Sequence, residues 1–409
     1  MKSVKGNLLI AQSGGPTSVI NASAYGAIKE FLSLGSGHKV YAGVYGIQGI
    51  LEKRIIDIDT LNKNTIETLK YMPSSAFGSC RYKLKDYDEN EEEYEKIINI
   101  FKKFNITYFL YIGGNDSMDT ANKLSIYMNK IGYDANIIGV PKTIDNDLVE
   151  TDHCPGFGSA AKYVTNIGIE IWSDINAYKK ESIMIMEVMG RDAGWIAAST
   201  GILKSVIPDI NQLIYLPEIS FDKDKFLIDV EKAIKKNNKL LIVVSEGIKD
   251  ENGEYINANK NEIDSFGHKQ LGGAGRHLQN LIKENITKNV KLIELGVTQR
   301  CAIHCASKTD IEESEIVGRD SVKYVLAGYS GYMTALERSS NDKYNCVTKL
   351  VKLQDVCKRV KNVPLNWINE QKNSVKDAMI DYIQPLILGE INPFNENGLV
   401  KYTDINFFR

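Results

Sequence analysis

The stretch TYFLYIGGNDS, Thr107 to Ser117, reads as one buried strand that runs directly into a glycine pair and the start of a helix. Thr107 to Ile112 are β-branched or aromatic except for Leu110, the composition of a strand, and Met118 to Asn129 continues as a helix. The same plan recurs along the chain. Asn7-Leu8-Leu9-Ile10-Ala11 leads into Gln12 to Thr17 and then a helix with Ala24, Ala27, Ile28 and Phe31 on one face. Ile137 to Val140 leads into Pro141-Lys142-Thr143-Ile144-Asp145-Asn146-Asp147, and Ser182 to Val188 into Met189-Gly190-Arg191-Asp192. Leu240 to Val244 leads into Ser245-Glu246-Gly247 after a helix that Ser220 can cap and Asn237-Asn238 can end. Helices are expected over Glu91 to Lys103, where Ile97, Ile98 and Phe101 line one side, and over Ser159 to Tyr178. Strand, turn and helix in alternation predict an α/β fold with largely parallel sheets, whose ligands bind at the carboxyl ends of the strands.

A chain of 409 residues exceeds the size at which one hydrophobic core usually stops growing, so two lobes are expected. With 50 Lys and Arg against 52 Asp and Glu, there is no bulk field to hold nucleic acid, and phosphate chemistry must be local. Cys80, Cys154, Cys301, Cys305, Cys346 and Cys357 contain no C-x-x-C pair and read as reduced thiols. Cys301, His304 and Cys305 lack a fourth neighbouring ligand for zinc. Leu8 to Ala11 is too short for a signal-peptide core, and no run reaches the roughly 18 apolar residues of a membrane span. A cytoplasmic protein without membrane contact is expected.

Lys142 is the most telling residue. It stands at a strand end beside Asp145 and Asp147, and a lysine with a carboxylate suits phosphoryl transfer: the cation neutralises the moving phosphoryl while the acid takes the proton of the attacking hydroxyl. The plain alternative is a polar turn after a buried strand. Gly14-Gly15 and Gly113-Gly114 each follow a strand and open a helix, where backbone N–H groups can approach phosphate oxygens; the plain alternative is a tight connection. Neither matches G-x-G-x-x-G or the P-loop pattern, which disfavours dinucleotide binding, and Leu271 to Arg276 has no strand directly before it. Arg81, Lys142, Arg191, Lys291 and Arg300 follow apolar runs and are candidate phosphate ligands. The region after about residue 340 mixes helix signals with Pro364, Pro385 and Pro393 and shows no recognisable chemistry.

Taken together, SGGPTSVINAS (13–23), GSCRYKL (78–84), GGNDS (113–117), PKTIDND (141–147), MEVMGRDAGWIA (186–197), SEG (245–247) and LGVTQR (295–300) resemble the 6-phosphofructokinase family, and within it the pyrophosphate-dependent form. The resemblance implies two Rossmann-like lobes with the active site in the cleft between them. Lobe one would hold residues 1–156 plus about 299–345, and lobe two residues 157–298 plus about 346–409. It implies glycolytic transfer of phosphoryl from pyrophosphate to the 1-hydroxyl of fructose 6-phosphate, with Mg²⁺, by a homodimer or homotetramer; because the donor is not a nucleotide, its chemistry makes the transfer expected to be reversible.

By the same resemblance Asp145 is the general base, with Lys142, Asp116 and Arg191 also catalytic. Thr143, Ile144, Asp147, Met189, Gly190, Arg191, Glu246, Lys291 and Arg300 would hold the sugar phosphate. Gly14, Gly15, Arg81, Gly114, Ser117 and Lys142 would face the donor, and Asn115 and Asp116 the metal. ATP-using members look like PGTIDND and GGDGS, with glycine where this chain has Lys142 and Asp116; a carboxylate at 116 would repel an α-phosphate, and Lys142 would serve a compact pyrophosphate. Two departures stand out. Asn115 replaces the acid expected to meet Mg²⁺, and Ser182, after Lys179-Lys180-Glu181, and Lys291 stand where arginines reaching a neighbouring subunit's site are expected. An ATP-dependent enzyme and a non-catalytic sugar-phosphate sensor on the same fold are the competing readings.

Overall fold

The computed structural model describes residues 4–256, 271–340 and 343–401; the parts of the expected lobes at 1–3, 257–270, 341–342 and 402–409 lie outside the described residues. Eleven strands form the two main sheets. In chain order they are β1 (Asn7–Gln12), β2 (Val40–Gly43), β3 (Ile55–Asp57), β4 (Ile106–Gly113), β5 (Asn136–Pro141) and β6 (Ser182–Val188). β7 (Gln212–Tyr215), β8 (Lys239–Ser245), β9 (Val290–Glu294), β10 (Tyr332–Ser340) and β11 (Asn345–Lys352) follow.

The first sheet has the order β11-β10-β5-β4-β1-β2-β3 and is parallel except where the edge strands β3 and β11 pair with β2 and β10. Both its faces are covered, which the alternation of its central strands requires. On one face Leu9, Ala11, Phe109, Tyr111 and Ile137 join a cluster with Ile97 and Phe101 of the helix Glu91–Lys103. On the other, Leu8, Ile10, Leu110, Ile112, Ile138 and Val140 meet Ala24, Ala27, Ile28 and Phe31 of the helix Ile20–Ser33. The second sheet, β7-β8-β6-β9, is wholly parallel and likewise sandwiched between two clusters.

These two sheets are the two α/β lobes, and the chain crosses between them through the helix Phe157–Asn176 and returns after β9 by the helix Lys308–Leu326. The expected return to the second lobe at about 346 falls inside β11, which is hydrogen-bonded to β10 in the first sheet. Only later does the chain rejoin the second lobe, where Met379, Tyr382 and Ile383 of the helix Asp377–Ile383 enter its core. A hairpin return was invisible because β11, NCVTKLVK, lacks the strict apolar–polar alternation that marks a half-exposed strand.

Most predicted elements sit within one to three residues of their expected bounds. One cap differs: the helix Lys223–Lys236 is capped by Asp222, whose side chain accepts the Lys225 N–H, while the Ser220 hydroxyl faces the Asp250 carbonyl. An aspartate two residues nearer the helix offers a carboxylate at the position the free N–H groups require. No helix among the described residues is long and apolar enough to cross a membrane.

Candidate active site

The carboxyl ends of β1, β4, β5, β6 and β8 converge on one cavity of about 380 Å³ between the lobes. Gly14, Gly15, Arg81, Gly114, Asn115, Asp116, Ser117, Lys142, Thr143, Ile144, Asp145 and Asp147 line it from the first lobe. Met189, Arg191, Glu246 and Arg300 close it from the other side. Strand ends gather here because the strands within each sheet are mostly parallel, so their following turns emerge on one edge.

The turns are built by local chemistry. Gly14 has φ +76°, a conformation that side-chain-bearing residues rarely take, and its N–H and C=O are tied to Cys80 and Ser79. At the second lobe, a Cβ on Gly247 would lie 1.8 Å from the Arg191 carbonyl, so only glycine lets the turns after β6 and β8 touch. The Ser245 hydroxyl donates to the Gly190 carbonyl at 2.6 Å, which locks the same pair of turns. Gly190 thus shapes the turn that presents Met189 and Arg191, without itself lining the cavity.

Lys142 projects from the end of β5 and donates from Nζ to the Gly15 carbonyl at 2.6 Å. Its side chain is buried, and burial, with Arg300 next, pulls its pKa down to about 7; Asp145 and Asp147 act in the opposite sense. Arg300 crosses from the second side, its guanidinium close enough that a Cβ on Gly15 would lie 2.9 Å away. Arg81 adds further positive charge beside Arg300 and Lys142. A cationic wall therefore stands over the first glycine turn.

Opposite it are carboxylates. Asp145 Oδ1 and Asp147 Oδ1 are buried and have no hydrogen-bond partner among the described residues. Burial raises both pKa values, Asp147 to about 7 with Asp145 as the next cause, while Lys142 pulls the Asp145 carboxyl back down. Glu246 is also raised to about 7, first by burial and then by Asp145 and Glu187. Carboxyls poised near neutrality beside fixed cations suit proton transfer.

Two expected site residues lie elsewhere or do other work. Lys291 is the second residue of β9, the edge strand of its sheet, exposed and outside the cavity, so it does not follow a strand as its apolar neighbours had predicted. Asn115 borders the cavity, but its amide is engaged: Oδ1 accepts the Lys358 N–H at 3.0 Å and Nδ2 donates to the Arg359 carbonyl at 2.5 Å. It anchors a distant segment, a role beside the metal contact expected of it. The third glycine-rich run is also accounted for. Gly273 and Gly275 N–H groups bind the Glu187 carboxylate at 3.1 and 2.6 Å, so the start of the helix Ala274–Asn285 holds an internal anion.

Sequence reasoning passed over Thr17, Lys83, Asp119, Asp192, Lys358 and Val360, all of which line the cavity. Asp192 sits in the quoted motif beside Arg191 and is held by Lys249 at 3.0 Å and Tyr255 at 2.8 Å; burial, the largest single effect, pushes its pKa up, but Lys249, Tyr255 and Arg191 together outweigh it and lower it. Lys358 and Val360 had no signal, since they come from the region without recognisable chemistry.

Fold and cavity together define a two-lobed α/β protein whose interlobe cleft pairs glycine turns and cations with poised carboxylates. The sequence pattern of the family described as Phosphofructokinase matches residues 7–312. The chain is 41% identical over 398 residues to the pyrophosphate–fructose 6-phosphate 1-phosphotransferase of Halomonas elongata, covering 97% of this chain and 95% of that one. It is 39% identical over 405 residues to the enzyme of the same name from Methylococcus capsulatus, covering 98% and 96%. The crystal structure of a pyrophosphate-dependent phosphofructokinase from Nitrosospira multiformis superposes with a TM-score of 0.89 at 38% identity, covering 98% of this chain and 96% of that one. The chain belongs to the phosphofructokinase family.

Proposed function

We propose that this chain transfers phosphoryl reversibly between pyrophosphate and the 1-hydroxyl of fructose 6-phosphate, giving fructose 1,6-bisphosphate and phosphate. The observation that carries the reading is the placement of the buried Lys142 ammonium on the Gly15 carbonyl with the unpartnered Asp145 carboxylate oxygen in the same cavity. Near-full-length relatives bear the corresponding name.

In this reading Gly14, Gly15, Arg81, Gly114, Ser117 and Lys142 hold pyrophosphate. Thr143, Ile144, Asp147, Met189, Arg191, Glu246 and Arg300 hold the sugar phosphate, with Gly190 shaping their turn. Asp145 takes the proton from the 1-hydroxyl as that oxygen attacks the donor phosphorus, and the bond to the leaving phosphate breaks. Lys142, Arg81 and Arg191 balance the charge that accumulates on the transferring and leaving oxygens. Asp116 stands where a nucleotide's α-phosphate would have to lie and repels it.

The donor set fits a hard divalent cation, because Asp147 presents a buried carboxylate oxygen without a partner and Asp116 lines the same cavity. Asp116 and Asp147 would hold Mg²⁺, which when bound supplies charge neutralisation on the diphosphate oxygens. Lys291 and the end of β6 near Ser182 would serve the site of a second copy in a homodimer or homotetramer, and the setting is cytoplasmic and glycolytic.

The test is an assay of purified protein with fructose 6-phosphate, Mg²⁺ and either pyrophosphate or ATP. Saturable production of fructose 1,6-bisphosphate with pyrophosphate, and of pyrophosphate in reverse, is expected. Turnover with ATP alone would overturn the donor assignment, and binding of fructose 6-phosphate without turnover would make the chain a sensor.

A further inference from the structure

After β11 the chain passes back along the cleft, and the six residues Lys358 to Val363 are tied to three different walls of it. At one end, Lys358 N–H and Arg359 C=O are gripped by the Asn115 amide at the head of the helix Asn115–Lys130. In the middle, Lys361 N–H donates to the Asp147 carbonyl at 2.8 Å. At the other end the Lys361 carbonyl accepts the Trp195 indole N–H at 2.7 Å, and Val363 N–H donates to Glu218 Oε1 at 2.9 Å. That same Glu218 oxygen accepts the Gly194 N–H at 2.9 Å, so Trp195 and Glu218 fix the strap to the second lobe.

The Lys361 side chain turns inward beneath the loop that carries Asp145 and Asp147. Its ammonium donates to Asn146 Oδ1 at 3.3 Å, Thr151 C=O at 3.2 Å and Asp152 C=O at 2.8 Å. All three donors are therefore spent on neutral oxygens, and Lys361 makes no ion pair among the described residues. Asn146 is fully buried with φ +53°, a strained setting for a residue with a side chain, and something must hold it there. Besides Lys361, the Cys154 N–H reaches its Oδ1 at 2.9 Å, and its Nδ2 donates to the Tyr382 hydroxyl at 2.9 Å. The Tyr382 hydroxyl in turn donates to the Asp152 carbonyl at 2.6 Å.

An ammonium removed from water without a carboxylate partner costs stability, so packing alone is a poor reason for a lysine here. We propose that Lys361 is a positioning residue, which registers the loop bearing Asp145 and Asp147 against the second lobe through one side chain and two backbone bonds. Because the attacking hydroxyl would be held partly by the second lobe and its base by the first, this registration sets the distance over which the proton moves. The inference rests on the reading of Asp145 as general base.

The test is steady-state kinetics of Lys361→Met with pyrophosphate and fructose 6-phosphate, per folded molecule and well below the unfolding midpoint. A displacement of about 1 Å can cost on the order of 10²-fold in rate, and a fall in kcat of that size is expected. Both KM values should stay within about threefold, the pattern of an interaction realised in the transition state. Lys204→Met, which removes an ammonium bonded at 2.6 Å to Ser374 instead, should leave kcat unchanged. Tyr382→Phe keeps the core ring and should lower kcat in the same manner by a smaller factor, which keeps the idea testable if Lys361→Met does not fold. Loss of thermal stability with unchanged kcat, or raised KM with kcat retained, would overturn the positioning role. An inactive wild type in the same assay would instead overturn the proposed function, so the two failures are distinct.

Discussion

Lys142 Nζ lies 2.6 Å from the carbonyl oxygen of Gly15, so the cation after β5 and the glycine turn after β1 form one unit although 127 residues separate them. Burial and the neighbouring Arg300 hold this ammonium near a pKa of about 7.

A bell-shaped pH profile of kcat/KM for pyrophosphate follows. Lys142 must be protonated, so the value should fall as pH rises above about 7. Asp147, raised to about 7, and Asp145, also raised, must be ionised, so it should fall as pH drops below about 7. The profile of free enzyme measured between pH 5 and pH 9 should therefore be narrow and centred near neutrality, whereas a flat profile across that range would remove these groups from the reaction.

Replacing Asp145 by serine removes the proton acceptor while leaving Thr143 and its 3.1 Å bond to the residue-145 N–H in place. Turnover should drop on the order of 10²–10⁴-fold, the usual worth of general-base catalysis, with circular dichroism and melting temperature little changed. Near-full activity would assign the proton to another group.

Lys142→Gly with Asp116→Gly tests the proposed donor selection, in which Lys142 would supply charge to a compact diphosphate and Asp116 would repel a longer donor. Pyrophosphate-dependent turnover should be lost. Isothermal titration of a nonhydrolysable ATP analogue against both proteins checks the second half: weaker binding to the wild type than to the variant is expected, and equal binding would deny Asp116 its exclusion role.

How much of this was legible beforehand depends on the kind of signal. Strands such as Asn7–Gln12 and Ile106–Gly113 announce themselves by composition and by the glycine pair that follows, and the turns after β1, β4 and β5 then had to share one edge of the first sheet, as those after β6 and β8 share an edge of the second. Lys142, Asp145 and Asp147 were found because their chemistry is written in side chains at one strand end. The strap at Lys358–Val363 was not, because its work is done mainly by backbone groups, which any sequence possesses. The anchoring role of Asn115 was hidden for a related reason: its partners, Lys358 and Arg359, lie more than 240 residues away. Lys291 misled because register within a short strand decides whether a residue sits at its end or its start.

Asn115→Asp separates the two roles of that residue. A metal ligand would gain from the charge, but the amide here donates to the Arg359 carbonyl, and a carboxylate would place oxygen against oxygen. The bond is exposed and water can take up the freed carbonyl, so its loss should cost only about 0.5–1.5 kcal/mol. Denaturant unfolding should show the loss, and the apparent Mg²⁺ requirement should not fall; a lowered requirement with unchanged stability would restore Asn115 as a ligand.

His153 gives the last prediction, away from the cavity. Its Nδ1 faces Asp152 Oδ1 at 2.9 Å and its Nε2 faces Glu313 Oε2 at 2.7 Å, while Tyr344 donates to the other Glu313 oxygen at 2.5 Å. Burial alone would lower the imidazole pKa, but Glu313 and Asp152 together raise it from 6.5 to about 9. A group whose folded pKa lies above its unfolded value binds more protons in the native state, so its stabilisation is complete below about pH 6.5 and is lost as pH rises through about 9. That contribution is on the order of 3 kcal/mol from the size of the shift. Wild-type stability by chemical denaturation should therefore decline between pH 6.5 and pH 9.5 more steeply than that of His153→Gln, which carries no titrating ring. Equal slopes would mean that the imidazole between the two carboxylates is neutral in the folded chain.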